Sequence, residues 1–214
     1  LAYGDDPCEL AETYASLWGE RMKARPSQPF TGWCTWYYFY GENTEKDVLK
    51  CVRKAKELAL PLEYILVDDG YQKAIGDWLE VKRDKFPSGM KYLAEKIKEA
   101  GFKPGLWVAP FAAAQDSRLL AEHPDWVLKD KSGEPVLAWE HWGIPCYGLD
   151  LSLPQVQDWL RELFGILHRD WGYEFFKLDF LFAGAMPGQR HNPRLTRAEA
   201  LRRGLEAIRE SVGD

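Results

Sequence analysis

Four strand-like segments alternating with helix-like ones predict an α/β fold, a parallel sheet covered by helices. Three observations carry that expectation. The strand-like runs are short and apolar nearly throughout, as strands buried on both faces are. Between them lie stretches whose apolar residues recur at helical spacing. Gly and Pro punctuate the borders between the two kinds of segment. Four such units account for almost the whole chain. That is either half of an eight-unit (β/α) barrel or a small open α/β sheet, and periodicity alone fits both.

Residues 7–24 read as a first helix, ending before Pro26. A strand is expected over residues 31–38 and a helix over 44–58. Pro61 marks the turn into a second strand, 63–69, rich in Ile, Leu and Val. A loop with Gly70, Gly76 and Pro87 leads to a helix over 88–100, with Met90, Leu93, Ala94 and Ile97 on one face and Gly101 as its stop. Residues 105–109 form the third strand. A short helix (116–122), a long loop and a short extended piece (147–151) follow. Ser152 and Gln155 form a capping box for a helix running to about residue 170. Gly172 releases the chain into a fourth strand, 174–180. Thr196 and Glu199 cap a last helix that ends at Gly213.

With 214 residues and 46% hydrophobic content the chain can bury a full core, and one domain is the default. A formal net charge of −5 argues against nucleic acid or an anionic membrane surface as the main partner. No apolar run approaches the roughly 18 residues a membrane helix needs. The chain opens Leu1-Ala2-Tyr3-Gly4-Asp5-Asp6, with neither an initiator Met nor a signal segment, so it reads as a processed or excised piece. Cys8, Cys34, Cys51 and Cys146 lack Cys-x-x-Cys spacing, which points to reduced structural thiols and a cytoplasmic origin. Ten Trp suit stacking on sugar rings as well as a Trp-rich core.

In either parallel architecture ligands meet the C-terminal ends of the strands. Side chains alternate along the fourth strand, so Lys177 and Asp179 share one face while Phe176, Leu178 and Phe180 share the other. The three apolar residues are expected to pack on helices, turning Lys177 and Asp179 inward. A cation about 7 Å along the strand, at roughly 3.3 Å per residue, would keep Asp179 ionised, as a carboxylate nucleophile requires. The plain structural alternative is an ion pair that only fixes the strand. Asp68 and Asp69 leave the second strand together. Both can serve one pocket only if the chain is already departing from strand geometry, which Gly70 permits. Such a pair can grip sugar hydroxyls or a divalent cation, or simply make a turn. None of His123, His141, His168 and His191 falls at a predicted strand exit, so hydroxyls rather than a metal are the expected ligands. Trp33, Trp36 and Trp107 lie on or at the ends of strands one and three, as core or as pocket wall.

Together these segments resemble the glycoside hydrolase family 36 α-galactosidases, the melibiases. The resemblance runs in one order through Gly32-Trp33-Cys34-Thr35-Trp36-Tyr37, Leu66-Val67-Asp68-Asp69-Gly70-Tyr71, Gly76-Asp77-Trp78 and Lys85-Phe86-Pro87. It continues with Gly105-Leu106-Trp107-Val108-Ala109-Pro110, His123-Pro124-Asp125-Trp126-Val127, Leu149-Asp150-Leu151-Ser152 and Phe176-Lys177-Leu178-Asp179-Phe180. It implies a (β/α)8 barrel of TIM type, with residues 29–214 as its first half and residues 1–28 as a preceding linker helix. The implied reaction is hydrolysis of terminal α-linked galactose with retention, through a covalent galactosyl-Asp intermediate. Asp179 matches the nucleophile and Lys177 a residue contacting hydroxyls beside it. Asp68 and Asp69 match the pair that binds the hydroxyls farthest from the cleaved bond, and Trp36 and Trp107 match wall aromatics.

Galactosides such as melibiose or raffinose are the implied substrates, with no cofactor. In this family the acid/base Asp comes from a later strand, beyond residue 214. The chain is therefore expected to be an incomplete, inactive piece of the catalytic domain, with open sheet edges prone to self-association. Tyr71 and Phe111 stand where many members carry Trp and Glu, which bears on sugar preference. A raffinose-synthase-type transglycosylase and a catalytically silent half-barrel are the alternatives.

Overall fold

The apolar runs pair as a parallel sheet, but the chain also builds a second, antiparallel one. The computed structural model describes residues 3–25 and 28–213. Among them are β1 (Gly32–Cys34), β2 (Tyr64–Val67), β3 (Lys103–Val108), β4 (Ala112–Ala114), β5 (Leu137–His141), β6 (Ile144–Gly148) and β7 (Phe175–Leu178). Strands β1, β2, β3 and β7 bond in that order, every pair parallel. Strands β4, β6 and β5, in that order, make the antiparallel sheet. The helices are α1 (Pro7–Met22), α2 (Trp36–Phe39), α3 (Glu45–Glu57), α4 (Met90–Glu99), α5 (Arg118–Glu122), α6 (Pro154–Gly165) and α7 (Arg197–Val212).

The chain divides into two compact units. In the unit up to Phe30, Asp6 caps α1 by accepting from the Cys8 N–H at 2.8 Å, Pro7 occupies the first turn, and no residue of α1 is buried. Pro26, the expected stop, lies outside the described residues. In the unit from Thr31 onward, Val48 and Val52 of α3, Leu93 and Ile97 of α4, and Val156, Leu160 and Phe164 of α6 are the buried sides of their helices. They join Ile65, Val67, Leu106 and Val108 of the sheet in one core, each such burial contributing roughly 1.5–3 kcal/mol. Phe176 meets Phe164 of α6 edge-on at 5.3 Å, so Phe176 faces the helix layer and its neighbour Lys177 the opposite side. Thr196 and Glu199 form the expected capping box at α7, where such a cap contributes about 1 kcal/mol.

Four expectations need correction. The strand over 31–38 stops at Cys34, and Trp36–Phe39 turn into α2, followed by a 3-10 turn, Tyr40–Glu42. Aromatic strand propensity yields here to tertiary contacts: the Thr35 hydroxyl accepts from the Asp68 N–H at 2.9 Å and ties the end of β1 to the exit of β2. The capping box at Ser152 and Gln155 is absent. Pro154 opens α6 after an N-cap Leu153, while the Ser152 hydroxyl donates to Asp150 at 2.8 Å. The long loop before residue 147 is the β5–β6 hairpin. Lastly, Phe180 does not follow Phe176 and Leu178 to the helix layer. The chain leaves the strand at Leu178, and Phe180 takes a left-handed φ of 50°.

Gly70 turns the chain at the exit of β2 with φ +119°, and a Cβ there would fall on the Gly41 carbonyl oxygen. Gly70→Ala is expected to destabilise the protein by on the order of 3 kcal/mol, through backbone strain plus overlap. A denaturant titration with an unchanged midpoint would contradict that account.

Candidate active site

The parallel register decides what meets what at the mouth of the sheet. Trp107 of β3 lies beside Lys177 of β7, and the Asp179 N–H still donates to the Val108 carbonyl at 2.9 Å. Trp107 and Asp179 are thereby close enough for the indole Nε1 to donate to Asp179 Oδ2 at 3.0 Å. The other carboxylate oxygen, Oδ1, accepts from the Phe180 N–H at 2.8 Å. Lys177 Nζ stands 3.9 Å from Asp179 Oδ2, but its close partner is Asp68 Oδ2 at 2.8 Å. Lys177 thus reaches past β3 to the exit of β2. Burial disfavours its ammonium, yet the hydrogen bond to Asp68 and the charges of Asp68 and Asp179 more than offset this and raise its pKa.

Asp68 and Asp69 both face the mouth, as the Gly70 turn allows. Asp68 is buried and also accepts from the Cys34 thiol at 3.2 Å. Burial foremost, aided by the Asp68 charge, pushes that thiol up to about 11, which keeps it a donor. Asp69 is held by Gln72 Nε2 on Oδ1 at 2.5 Å and by Trp142 Nε1 on Oδ2 at 3.0 Å. His141 Nε2 stands 3.0 Å from the same Oδ2, off the line of a straight N–H donor. Burial alone would raise the Asp69 carboxyl, but His141, Gln72 and Trp142 outweigh it and hold it below the usual carboxylate value.

Asp68, Asp69, Trp107, His141, Trp142, Lys177 and Asp179 line a cavity of about 480 Å³, together with Trp36, Trp139, Glu140 and Phe180. All six residues expected from the sequence (Asp68, Asp69, Lys177, Asp179, Trp36 and Trp107) border it, Trp36 from a helix rather than a strand. Trp107 is fully packed: Trp78 meets it edge-on at 5.7 Å, His141 stacks on it at 6.1 Å, and the Tyr71 hydroxyl donates to its carbonyl at 3.2 Å. A larger hollow of about 600 Å³ lies across the Asp69–His141–Trp142 wall, bordered by Tyr40, Glu42, Lys73 and Lys82. It contains neither Lys177 nor Asp179, so the smaller cavity is where the chemistry gathers.

Sequence reasoning missed the hairpin. Trp139, His141 and Trp142 reach the cavity from β5 and its turn: none of the four parallel strands ends in a histidine, yet His141 borders the cavity from the antiparallel hairpin. The signal was present: a run over 137–141, then Trp142-Gly143 as a two-residue turn with φ of +51° and +83°. A bulky residue at such a φ costs about 1–3 kcal/mol and persists only where contacts hold it. The Trp142–Asp69 hydrogen bond is such a contact. Asp150, by contrast, is structural. It accepts from Ser152 and from the His191 N–H, the latter at 2.6 Å, and pins the segment leading to α7. Among the described residues no group of three or more His, Cys, Asp or Glu could hold a metal ion, and no helix is long and apolar enough to cross a membrane.

A family model described as melibiase matches residues 9–205. Alpha-galactosidase Mel36A of Lactobacillus acidophilus is 32% identical over 177 residues, which take in 76% of this chain and 22% of that protein. The alpha-galactosidase of Escherichia coli is 28% identical over 153 residues, 68% of this chain and 20% of its own length. The structure of TtGalA, an alpha-galactosidase from Thermus thermophilus in complex with p-nitrophenyl alpha-D-galactopyranoside, aligns with a TM-score of 0.78 at 39% identity. That alignment covers 88% of this chain and 37% of that one. The chain therefore spans about a fifth of the length of these two curated relatives. Its ordered motifs, its parallel sheet and the family match agree: the chain belongs to the melibiase family of α-galactosidases.

Proposed function

We propose that this chain is the nucleophile-bearing part of a retaining α-galactosidase, with Asp179 as the nucleophile. One observation carries the reading. Asp179 is half-exposed at the sheet mouth, aimed by the Trp107 N–H and beside the Lys177 ammonium, while the Asp68–Asp69 pair borders the same cavity. Asp179 attacks the anomeric carbon of a terminal α-galactoside, and a galactosyl ester forms as the glycosidic C–O bond breaks. The departing oxygen takes a proton from an acid/base carboxyl. That group then removes a proton from water, which displaces Asp179 and restores the α configuration. Lys177, Asp68 and Asp69 bind hydroxyls, and Trp36 and Trp107 wall the ring.

Neither Asp68 nor Asp69 suits the acid role. Asp68 is committed to Lys177 and Cys34, and His141, Gln72 and Trp142 favour the ionised form of Asp69, whereas an acid must keep its proton. We assign the acid/base carboxyl to a later strand of a closed (β/α)8 barrel, of which residues 29–214 are the first half and residues 1–28 the linker helix. The boundary between compact units at Phe30 supports that division. α-Galactosides such as melibiose or raffinose are the class of substrate, and the relatives' name, alpha-galactosidase, supports the galactoside part of that reading.

In the full-length protein, a galactose-configured epoxide should esterify Asp179. Asp179→Ala should lower turnover of an α-galactoside by roughly a thousandfold or more. A label mapped to another residue ends the assignment. Lys177→Met leaves the buried Asp68 carboxylate without its cation and should destabilise the fold by about 2–3 kcal/mol, read by denaturant unfolding. The low end applies because Lys177 is itself about a third exposed. The 214-residue chain alone, with β1 and β7 as outer strands, should hydrolyse nothing and self-associate. A compact monomer on gel filtration would contradict the self-association.

A further inference from the structure

Asp69 is approached by Trp142 and His141 from a hairpin that contains none of the family motifs quoted above. A carboxylate offers about four lone-pair directions. On Oδ1, Gln72 Nε2 takes one, and the Gln72 amide is oriented because its own Oε1 accepts from the Gly70 N–H at 3.2 Å. On Oδ2, Trp142 Nε1 takes one at 3.0 Å, and His141 Nε2 stands 3.0 Å away in ion-pair contact, off the line of a hydrogen bond but crowding the remaining side. One direction, on Oδ1, remains.

We propose that His141 is a positioning residue for Asp69: with Trp142 it closes Oδ2, leaves a single Oδ1 direction for a sugar hydroxyl, and so sets which hydroxyl the pocket selects. The inference rests on the galactoside reading above. His141 is built for such a task. Its ring stacks on Trp107 with 22° between planes, meets Trp142 at 5.8 Å and Phe180 at 6.4 Å edge-on, and its backbone pairs with Ile144 across the hairpin. The hairpin itself does not need the imidazole, because the β4–β6–β5 ladder already holds it. Without the imidazole nitrogen at residue 141, the side of Oδ2 that it crowds opens to water or to the sugar. A hydroxyl can then register on Asp69 in more than one way, and discrimination falls.

The test is equilibrium binding of galactose, 4-deoxygalactose and 6-deoxygalactose to the full-length protein, followed by tryptophan fluorescence and calorimetry. The wild type should bind galactose about tenfold or more tightly than at least one deoxy sugar. His141→Phe keeps a ring against Trp107 but removes the nitrogen beside Asp69. It should weaken galactose binding by about tenfold while binding of the discriminated deoxy sugar changes far less, so that the selectivity shrinks. His141→Gln, whose amide can donate from a similar position, should recover most of that selectivity, an outcome a purely packing role would not produce. Equal selectivity in the wild type and His141→Phe would overturn the proposal while leaving the galactoside reading intact. If the wild type binds none of the three sugars, the galactoside reading falls and this proposal falls with it.

Discussion

The Lys177 ammonium joins two carboxylates that the sheet itself keeps apart, since β3 lies between the strand that delivers Asp68 and the one that delivers Asp179. Two carboxylates facing one cavity repel. A carboxyl group attacks an anomeric carbon effectively only in its ionised form. The cation removes that conflict, and the raised pKa of Lys177 shows the same coupling from the other side. The Cys34 thiol and the Thr35 hydroxyl, both at the end of β1, secure the Asp68 side chain and backbone so that the ammonium has a fixed partner.

Around this charged centre the cavity wall is aromatic, and the rings do more than exclude water. Trp107 is fixed by Trp78 on one side and His141 on the other, so its N–H has one direction available, towards Asp179. Its backbone is anchored by the buried Tyr71 hydroxyl. Tyr71 follows Asp68, Asp69 and Gly70 in sequence, so one turn after β2 supplies the two carboxylates and also the support for the tryptophan opposite. Phe180 stacks on Trp139 at 4.4 Å, which links the exit of β7 to the hairpin.

Much of this was legible in the sequence because it follows from alternation. Lys177 and Asp179 share a face whatever the surroundings, and Gly70 after two aspartates announces a turn at any strand exit. The helices of the parallel layer were legible for the same reason, from the spacing of Val156, Leu160 and Phe164. What failed was set by contacts distant in sequence. Nothing near Thr35 reveals that its hydroxyl will cap an amide 33 residues away and let the aromatic run Trp36–Phe39 coil. Ser152 looks like a cap until Asp150, Asn192 and His191 are brought beside it by the fold. The hairpin was obscured by Pro145 within a strand and by a tryptophan where a turn of this type favours Asn or Gly.

The distribution of backbone strain suggests why that hairpin is built as it is. Among the described residues, left-handed φ outside glycine occurs at Lys23, Tyr40, Ala59, Trp142 and Phe180. Trp142 and Phe180 border the cavity, and Tyr40 packs edge-on against Trp36, another of its walls, at 5.4 Å. Strain of this kind survives only where surrounding contacts over-determine the conformation. At Trp142 the contact is a hydrogen bond to Asp69, and at Phe180 it is the stack on Trp139 together with an N–H donated to Asp179. In both cases the strained residue itself donates a hydrogen bond to a carboxylate of the mouth. The parallel strands deliver the charged groups to within reach of one another, and the strained turns at their exits decide how those groups are aimed.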